Sequence, residues 1–379
     1  MTNAVASSSL AAKDSVNLGS TILGPTILGP TILGIESSCD ETAAAVVRGD
    51  HVILSNIIAS SSEIHAAHGG VVPEIAARAH LDTLAPVISK ALAEANIGWQ
   101  DIDGIAATAG PGLIGGVLVG TVAAKAMASF HDKPYFAINH LEGHALTARL
   151  TDQVAFPYLL LLVSGGHSQI LMVHDVGRYD RLGTTMDDAA GELFDKSAKV
   201  LGLSYPGGPA IEQAAKQGNA KAITLPRPLK GADHCHFSFS GLKTALAQAY
   251  QKHGTAFSIS DYAASLQSAI ADCLEDRVSR AIAIAQENDA FAANPVLVVA
   301  GGVAANQAIA QKLQHIAQIT GTQLVVPPAK LCTDNAAMIA WAGVEYFNRN
   351  QPSPLDFAPR PRWPLDDHAP PPPGRGVRS

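Results

Sequence analysis

The segment Asn139–Leu150, NHLEGHALTARL, sets two imidazoles four positions apart in a stretch that otherwise reads as helix. On a helix such positions share one face, with Cβ atoms roughly 5–6 Å apart. His140 and His144 can therefore take neighbouring corners of one metal's coordination sphere, because metal–nitrogen bonds run to about 2.0–2.1 Å. Glu142 falls on the far side of the same helix. In H-E-x-x-H metallopeptidases the glutamate directly follows the first histidine and serves as general base; the order H-x-E-x-H does not supply that base. The plain alternative is a pair of hydrogen-bonded histidines on a half-buried helix. A carboxylate stands far downstream, at Asp334 in LCTDNAAMIA, immediately before an alanine-rich helix. Capping would explain it. Two imidazoles leave a metal site incomplete, however, and a carboxylate is a usual third ligand.

Three turns could hold an anion. ILGIESSCDETAAAVV, Ile32–Val47, reads as strand, tight polar turn and strand, with Ser37, Ser38, Asp40, Glu41 and Thr42 in the turn. YLLLLVSGGHSQILMV, Tyr158–Val173, repeats the pattern around Ser164-Gly165-Gly166-His167-Ser168. Glycines let the backbone approach a ligand, and successive N–H groups in such a turn form an anion-binding concavity. PVLVVAGGVAANQ, Pro295–Gln307, is a strand that ends in Gly301-Gly302 and leads into a helix, the arrangement expected where a nucleotide meets strand C-termini. Two strand–turn–strand units and a strand–glycine–helix unit predict a duplicated α/β fold with a cleft between its halves.

Other stretches carry weaker signals. Ser61–His80 is a Gly/Pro loop entering a helix, with His65, His68, Glu74, Arg78 and His80; a solvated helix face explains it as well as any contact with RNA. Thr184–Gly208 reads as a helix with a polar stripe of Asp188, Glu192, Asp195 and Lys199, then a Gly207-Gly208 turn. Pro226–Leu246 interleaves Arg227, Lys230, His234, His236 and Lys243 with Phe237 and Phe239, a mixture suited to RNA phosphates and unstacked bases. A solvated loop with two core phenylalanines is the alternative.

The chain of 379 residues is 47% hydrophobic and 16% charged, with 33 glycines, enough for two domains built on buried parallel strands. A net charge of −7 argues against indiscriminate binding of nucleic acid but leaves room for a local basic patch. The four cysteines are scattered, so reduced thiols in a cytoplasmic protein are expected. The most apolar run, Gly112–Ala124, stops at Lys125, short of the roughly 20 residues a bilayer needs, and the N-terminus lacks a basic n-region. No membrane role is expected. Ser20–Gly34 carries TILG three times, joined by Pro25 and Pro30; residues 1–30 read as a disordered extension and 351–379 as a Pro-rich tail.

Taken together, GIESSCDETAAAVV, HAAHGGVVPEIAARAH, NHLEGHALTARL, LLVSGGHSQI, DDAAGELFDKSAKVLGLSYPGGP, FSFSGLKTAL, AGGVAANQ and LCTDNAAMIA resemble the signatures of the tRNA adenosine threonylcarbamoyltransferase family, TsaD in bacteria, formerly Gcp or O-sialoglycoprotein endopeptidase. The likeness runs from about Ile32 to Phe347 and leaves out both tails. It implies an actin-like, sugar-kinase-like (ASKHA) fold with two RNase-H-like lobes around a nucleotide cleft: lobe I at 31–156, lobe II at 157–333, and a helix at 334–350 returning to lobe I. Carried over residue by residue, it implies His140, His144 and Asp334 as ligands of one divalent metal, iron before zinc. It also implies Leu162, Val163, Ser164, Gly165, Gly166, Asp195, Gly208 and Asn306 as the site for threonylcarbamoyl-AMP. The implied reaction moves the threonylcarbamoyl group to the exocyclic amine of the adenosine 3′ of the anticodon in tRNAs reading ANN codons, releasing AMP. Implied partners are tRNA, a TsaB-like paralogue and a TsaE-like ATPase. Arg227, Lys230 and Lys243 are the candidates for tRNA contact. Two rival readings stand beside this one: a zinc metallopeptidase, the older family label, and a non-catalytic actin-like nucleotide-binding scaffold.

Overall fold

The computed structural model describes residues 28–61 and 71–371. The first TILG copy and the first half of the second, His65 and His68, and residues 372–379 lie outside the described residues. Continuous runs of apolar and small residues, buried on both faces, drive two sheets. In the first, β1 (Thr31–Glu36), β2 (Glu41–Arg48) and β3 (Val52–Ser60) form an antiparallel meander. Strands β4 (Gly104–Gly110) and β5 (Tyr135–Asn139) then add in parallel beside β1, giving the order β3-β2-β1-β4-β5. Leu33 and Ile35 of β1 face a core shared with helices α1 (Pro73–Ala95) and α2 (Ile114–Phe130). Ile32 faces the opposite core.

The second sheet repeats the plan. β6 (Tyr158–Val163), β7 (Ser168–Asp175) and β8 (Arg178–Thr184) form the meander, and β9 (Val296–Ala300) and β10 (Gln323–Val325) extend it in parallel. The order β8-β7-β6-β9-β10 is the topology of the first sheet over again. Leu159, Leu161 and Val163 point into the large core built with α4 (Ala190–Val200), α5 (Gly207–Ala215), α6 (Ser240–His253), α7 (Ile259–Ala285) and α8 (Gln307–Thr320). No helix among the described residues is long and apolar enough to cross a membrane.

Two helices join the halves. α3, His140–Asp152, starts where β5 stops and is buried nearly all round. Its Leu141, Ala145 and Ala148 pack on the back of the second sheet with Leu160 and Leu162, while Leu146 and Leu150 belong to the first. α9, Ala336–Asn348, returns to the first sheet after the second is complete. It lies so close that a Cβ on Gly34 of β1 would sit 2.5 Å from the Ala336 carbonyl oxygen.

The segment 351–371 is not helix or strand, yet it runs along both halves. Ser353 donates its N–H to the Tyr135 carbonyl at 2.7 Å, and Arg360 donates to Ala109 at 2.7 Å. Phe357 and Trp363 pack on the α1–α2 side of the first sheet, and Leu365 on the core under the second. The Asp366 carboxylate accepts the Arg181 N–H at 2.8 Å. Proline-rich composition hides this strap, because its anchors are backbone hydrogen bonds and single aromatic rings without periodicity.

Candidate functional site

The two histidines occupy the first and second turns of α3, where the chain leaves β5. Asn139 caps the helix, its Oδ1 accepting the Leu141 N–H at 2.9 Å. His144 Nε2 lies 3.1 Å from Asp334 Oδ1, and His140 Nε2 lies 3.4 Å from the same oxygen. The rings meet edge-on, 4.9 Å between centroids. One ligand atom from each of the three residues lies within 4.8 Å of the others.

The expectation that Asp334 could be a helix cap is corrected here. The cap of α9 is the next residue, Asn335, whose Oδ1 accepts the Met338 N–H at 3.1 Å. Asp334 is thereby left to aim its carboxylate at the imidazoles.

Behind His140, the end of β1 and the turn after it supply a second layer, in which the sequence pattern singled out Ser38 but not Glu36. His140 Nδ1 lies 3.1 Å from Glu36 Oε2 and 3.1 Å from Ser38 Oγ. Glu36 in turn accepts the Ser38 N–H at 2.7 Å and the Thr108 hydroxyl. A carboxylate holding the remote ring nitrogen is the arrangement that orients a metal-bound histidine. Burial alone would lower the His140 imidazole, but Asp334 and Glu36 outweigh it and hold it well above its ordinary value. Burial would likewise raise Asp334, and the His140 and His144 rings instead hold it well below the usual carboxylate range. Burial, then the charges of Asp40 and Asp334, push Glu41 up to about 8. His144 Nδ1 is buried with no hydrogen-bond partner among the described residues. Two imidazoles, one carboxylate and an acid-rich turn suit a divalent ion, and these residues fit one.

The glycine turns expected to hold an anion lie in the second half. β6 carries Leu162 and Val163 to its end, and Ser164–Gly166 turn the chain back into β7. Ser164 Oγ accepts the His167 N–H at 3.2 Å, which braces the turn. A Cβ on Gly165 or Gly166 would meet nothing within 4 Å, so these backbones face open space. At the end of β9, Gly301 has φ +93, and a Cβ there would lie 2.3 Å from the Val163 carbonyl oxygen. Asp195 Oδ1 accepts the Gly207 N–H at 2.7 Å, holding the start of α5, and Gly208 next to it faces open space. Burial raises the Asp195 carboxyl, with Glu192 adding to it. Asn306 caps α8, its Oδ1 accepting from Ile309 and its Nδ2 donating to Gln267 at 2.9 Å.

Several expected features sit differently. Asp188 precedes α4 rather than joining its stripe, and takes Lys196 at 3.2 Å and Lys243 at 3.1 Å. Arg227 is bonded to Asp272 at 2.9 Å, while Lys230 is exposed. His80 is no solvated residue: it is buried, its Nδ1 2.8 Å from Thr42 Oγ1 and its Nε2 3.1 Å from the Cys39 carbonyl. Asp187, quoted in a motif but given no role in the sequence analysis, accepts from Ser238, Phe239 and Ser240 and so holds the start of α6. Only its place before the S-F-S-G-L helix start could have marked it, and that placement is long-range.

The described family TsaD, tRNA N6-adenosine threonylcarbamoyltransferase, matches residues 52–341. The tRNA N6-adenosine threonylcarbamoyltransferase of Erythrobacter litoralis is 57% identical over 346 residues, covering 91% of this chain and 98% of its own. That of Bartonella bacilliformis is 57% identical over 359 residues with the same coverage. The chain belongs to the TsaD family. It is a transferase that modifies adenosine in tRNA at N6 with a threonylcarbamoyl group. Among solved structures, HypF of T. kodakarensis has a TM-score of 0.57 at 15% identity, covering 86% of this chain and 48% of that one. A full-length HypF in its phosphate- and nucleotide-bound form has a TM-score of 0.56 at 13% identity. Likenesses at this level carry the fold alone, and the fold is the actin-like one of two lobes.

For a TsaD-family chain the peptidase reading is not favoured, and the geometry agrees. Glu142, the one acid between the histidines, turns away from them. It accepts the Gly177 N–H at 2.8 Å, the Tyr179 hydroxyl at 2.8 Å and the Tyr346 hydroxyl at 3.0 Å.

Proposed function

We propose that the chain uses threonylcarbamoyl-adenylate as donor and modifies the adenosine 3′ of the anticodon in tRNAs that read ANN codons. The observation that carries this reading is the convergence of His140, His144 and Asp334, with ligand atoms within 4.8 Å, beside the open turns of the second lobe. The adenylate would lie along Leu162–Gly166, Asp195, Gly208 and Asn306. Gly165 and Gly166 would let their N–H groups reach the phosphate without a side chain in the way. Asp195, fixed through Oδ1 on Gly207, would offer its other oxygen to the ribose.

A divalent ion held by His140, His144 and Asp334, iron before zinc, would supply Lewis acidity to the threonylcarbamoyl end of the donor. Glu36 and Ser38 would keep the His140 ring in register. In the transfer the adenosine N6 attacks the carbamoyl carbonyl carbon and a C–N bond forms. The bond from that carbon to the adenylate phosphate oxygen breaks, AMP leaves with the electron pair, and the amine proton passes to solvent. The mixed anhydride is already activated, so holding donor and amine together accounts for most of the acceleration.

Lobes at 31–156 and 157–333, with 334–350 returning to the first, belong to the same proposal. So do a cytoplasmic location and work alongside a TsaB-like paralogue and a TsaE-like ATPase. With a net charge of −7, partners that help to hold RNA fit the charge balance. Arg227, Lys230 and Lys243 are the proposed tRNA contacts, with phosphates displacing Asp272 and Asp188 from Arg227 and Lys243.

The test is a reconstituted transfer. The purified chain and its partners are mixed with donor adenylate and unmodified tRNA, and digested nucleosides are analysed for threonylcarbamoyladenosine. Product from wild type and at most a trace from His140→Ala or Asp334→Ala is expected; full product from both variants overturns the metal assignment. In the same assay Arg227→Ala with Lys243→Ala should weaken tRNA binding at unchanged metal content, and unchanged binding would remove those contacts.

A further inference from the structure

Between the strap and the second sheet lies a cavity of about 700 Å³, a size that holds a nucleoside. Its wall on one side is Gln169 and Thr184, cross-strand neighbours on β7 and β8, with His167 and Gly166 of the turn. Its other wall is the strap, with Pro361, Arg362 and Trp363. We infer that this cavity receives the acceptor adenosine of tRNA, extruded from its stack, with Trp363 as stacking surface and Gln169 reading a ring nitrogen. The inference rests on the transfer reading above.

Four observations point the same way. The cavity adjoins the metal cluster: Asn139, the residue before His140, donates its Nδ2 to the Trp363 carbonyl at 2.9 Å, and Leu141 lines the wall. It also adjoins the turn proposed for the donor, through Gly166. Its lining combines an indole, a carboxamide and an imidazole, the groups that hold an unstacked base by its face and edge. Asp366 and Asp367 line it beside Arg181 and Arg362, so the walls carry balanced charge, which suits an uncharged base. An amine that must reach a carbonyl beside His140 cannot do so from within a stacked anticodon loop, and enzymes that act on a base take it out of the stack. The strap holds the indole in place on the lobe I side, with the Gly112 N–H donating to Pro361 at 3.2 Å and the Arg360 guanidinium 5.1 Å from the Trp363 ring.

The experiment uses the full chain with its partners. Trp363→Ala should raise the KM for tRNA on the order of tenfold to a hundredfold, as expected for loss of one base–aromatic stack, while metal content and donor binding stay as in wild type. Trp363→Phe should recover most of the loss. Since Trp363→Ala could loosen the strap, a second measurement uses the wild-type protein: tRNA carrying an azido-adenosine at the acceptor position is irradiated, and the crosslinked peptide is found by mass spectrometry. Crosslinks within 361–371 or at 167–169 are expected. Active wild type with crosslinks elsewhere, or a tRNA KM within twofold of wild type for Trp363→Ala, overturns the pocket and leaves the transfer reading intact. No product from the wild-type assembly overturns that reading itself.

Discussion

His140 is held from both ends, by Asp334 on one nitrogen and by Glu36 and Ser38 on the other. Replacing Glu36 by glutamine turns an acceptor into an amide whose N–H can face the ring, and the preferred tautomer is lost. Glu36→Gln should therefore weaken metal binding by about 10- to 100-fold in competition with a chelator, the usual cost of losing such a support. His167, beside the same cluster, behaves in the opposite sense to His140. Burial, then the charges of His140 and His144, lower its imidazole from 6.5 to about 4. The unfolded chain thus binds a proton that the folded chain refuses, and stability is lost as pH falls from 6.5 towards 4. The slope from this group approaches 1.4 kcal/mol per pH unit, about 3 kcal/mol over the window. His140, raised in the folded protein, contributes stability at low pH instead, so the informative comparison is between variants. In metal-free protein, His167→Gln should flatten the acid limb of a denaturant–pH series; an unchanged limb would place the ring in solvent. Spacing alone put the two histidines on one face of α3, and the family resemblance added Asp334 to them. Glu36 was not legible, because its role depends on a contact 104 positions along the chain.

Among the elements, the close approach of α9 to β1 carries the geometry of the site, since Asp334 stands at its head. Gly34 meets Ala336 and Ala340 of that helix, and Gly343 meets Ala106 and Ile32 from the other side. Gly34→Ala puts a methyl against backbone, 2.5 Å from the Ala336 oxygen and the Ala340 nitrogen. It should cost about 1–3 kcal/mol in denaturant unfolding, as overpacked cores do. Gly241→Ala, where a Cβ meets nothing within 4 Å, should be close to neutral and serves as the control. If Gly34→Ala proves as stable as Gly241→Ala, the helix is not seated as described. Strands and turns were readable because apolar runs and turn chemistry are local, so β1–β2 and β6–β7 appeared in the sequence as two copies of one unit. The cap at the head of α9 was misread by one position, since aspartate and asparagine cap equally well and only the fold decides which one the helix takes. The strap was unreadable for a different reason: its order comes from partners such as Tyr135, Ala109 and Arg181, not from its own composition.

Across the whole molecule, two sheets of one topology face each other over a helix that belongs to both, and the strap crosses them on the outside. Glu142 makes this arrangement asymmetric. Rooted in α3, it grips Gly177 and Tyr179 at the β7–β8 hairpin and Tyr346 of α9. The hairpin lies at one end of β7, and the Ser164–Gly166 turn lies at the other. The carboxylate therefore moors one end of β7 to the helix that carries the histidines. The eight residues of β7 then act as a ruler, setting the distance between that mooring and the Ser164–Gly166 turn. The acid that resembles a peptidase's base serves instead as the zero mark of that ruler.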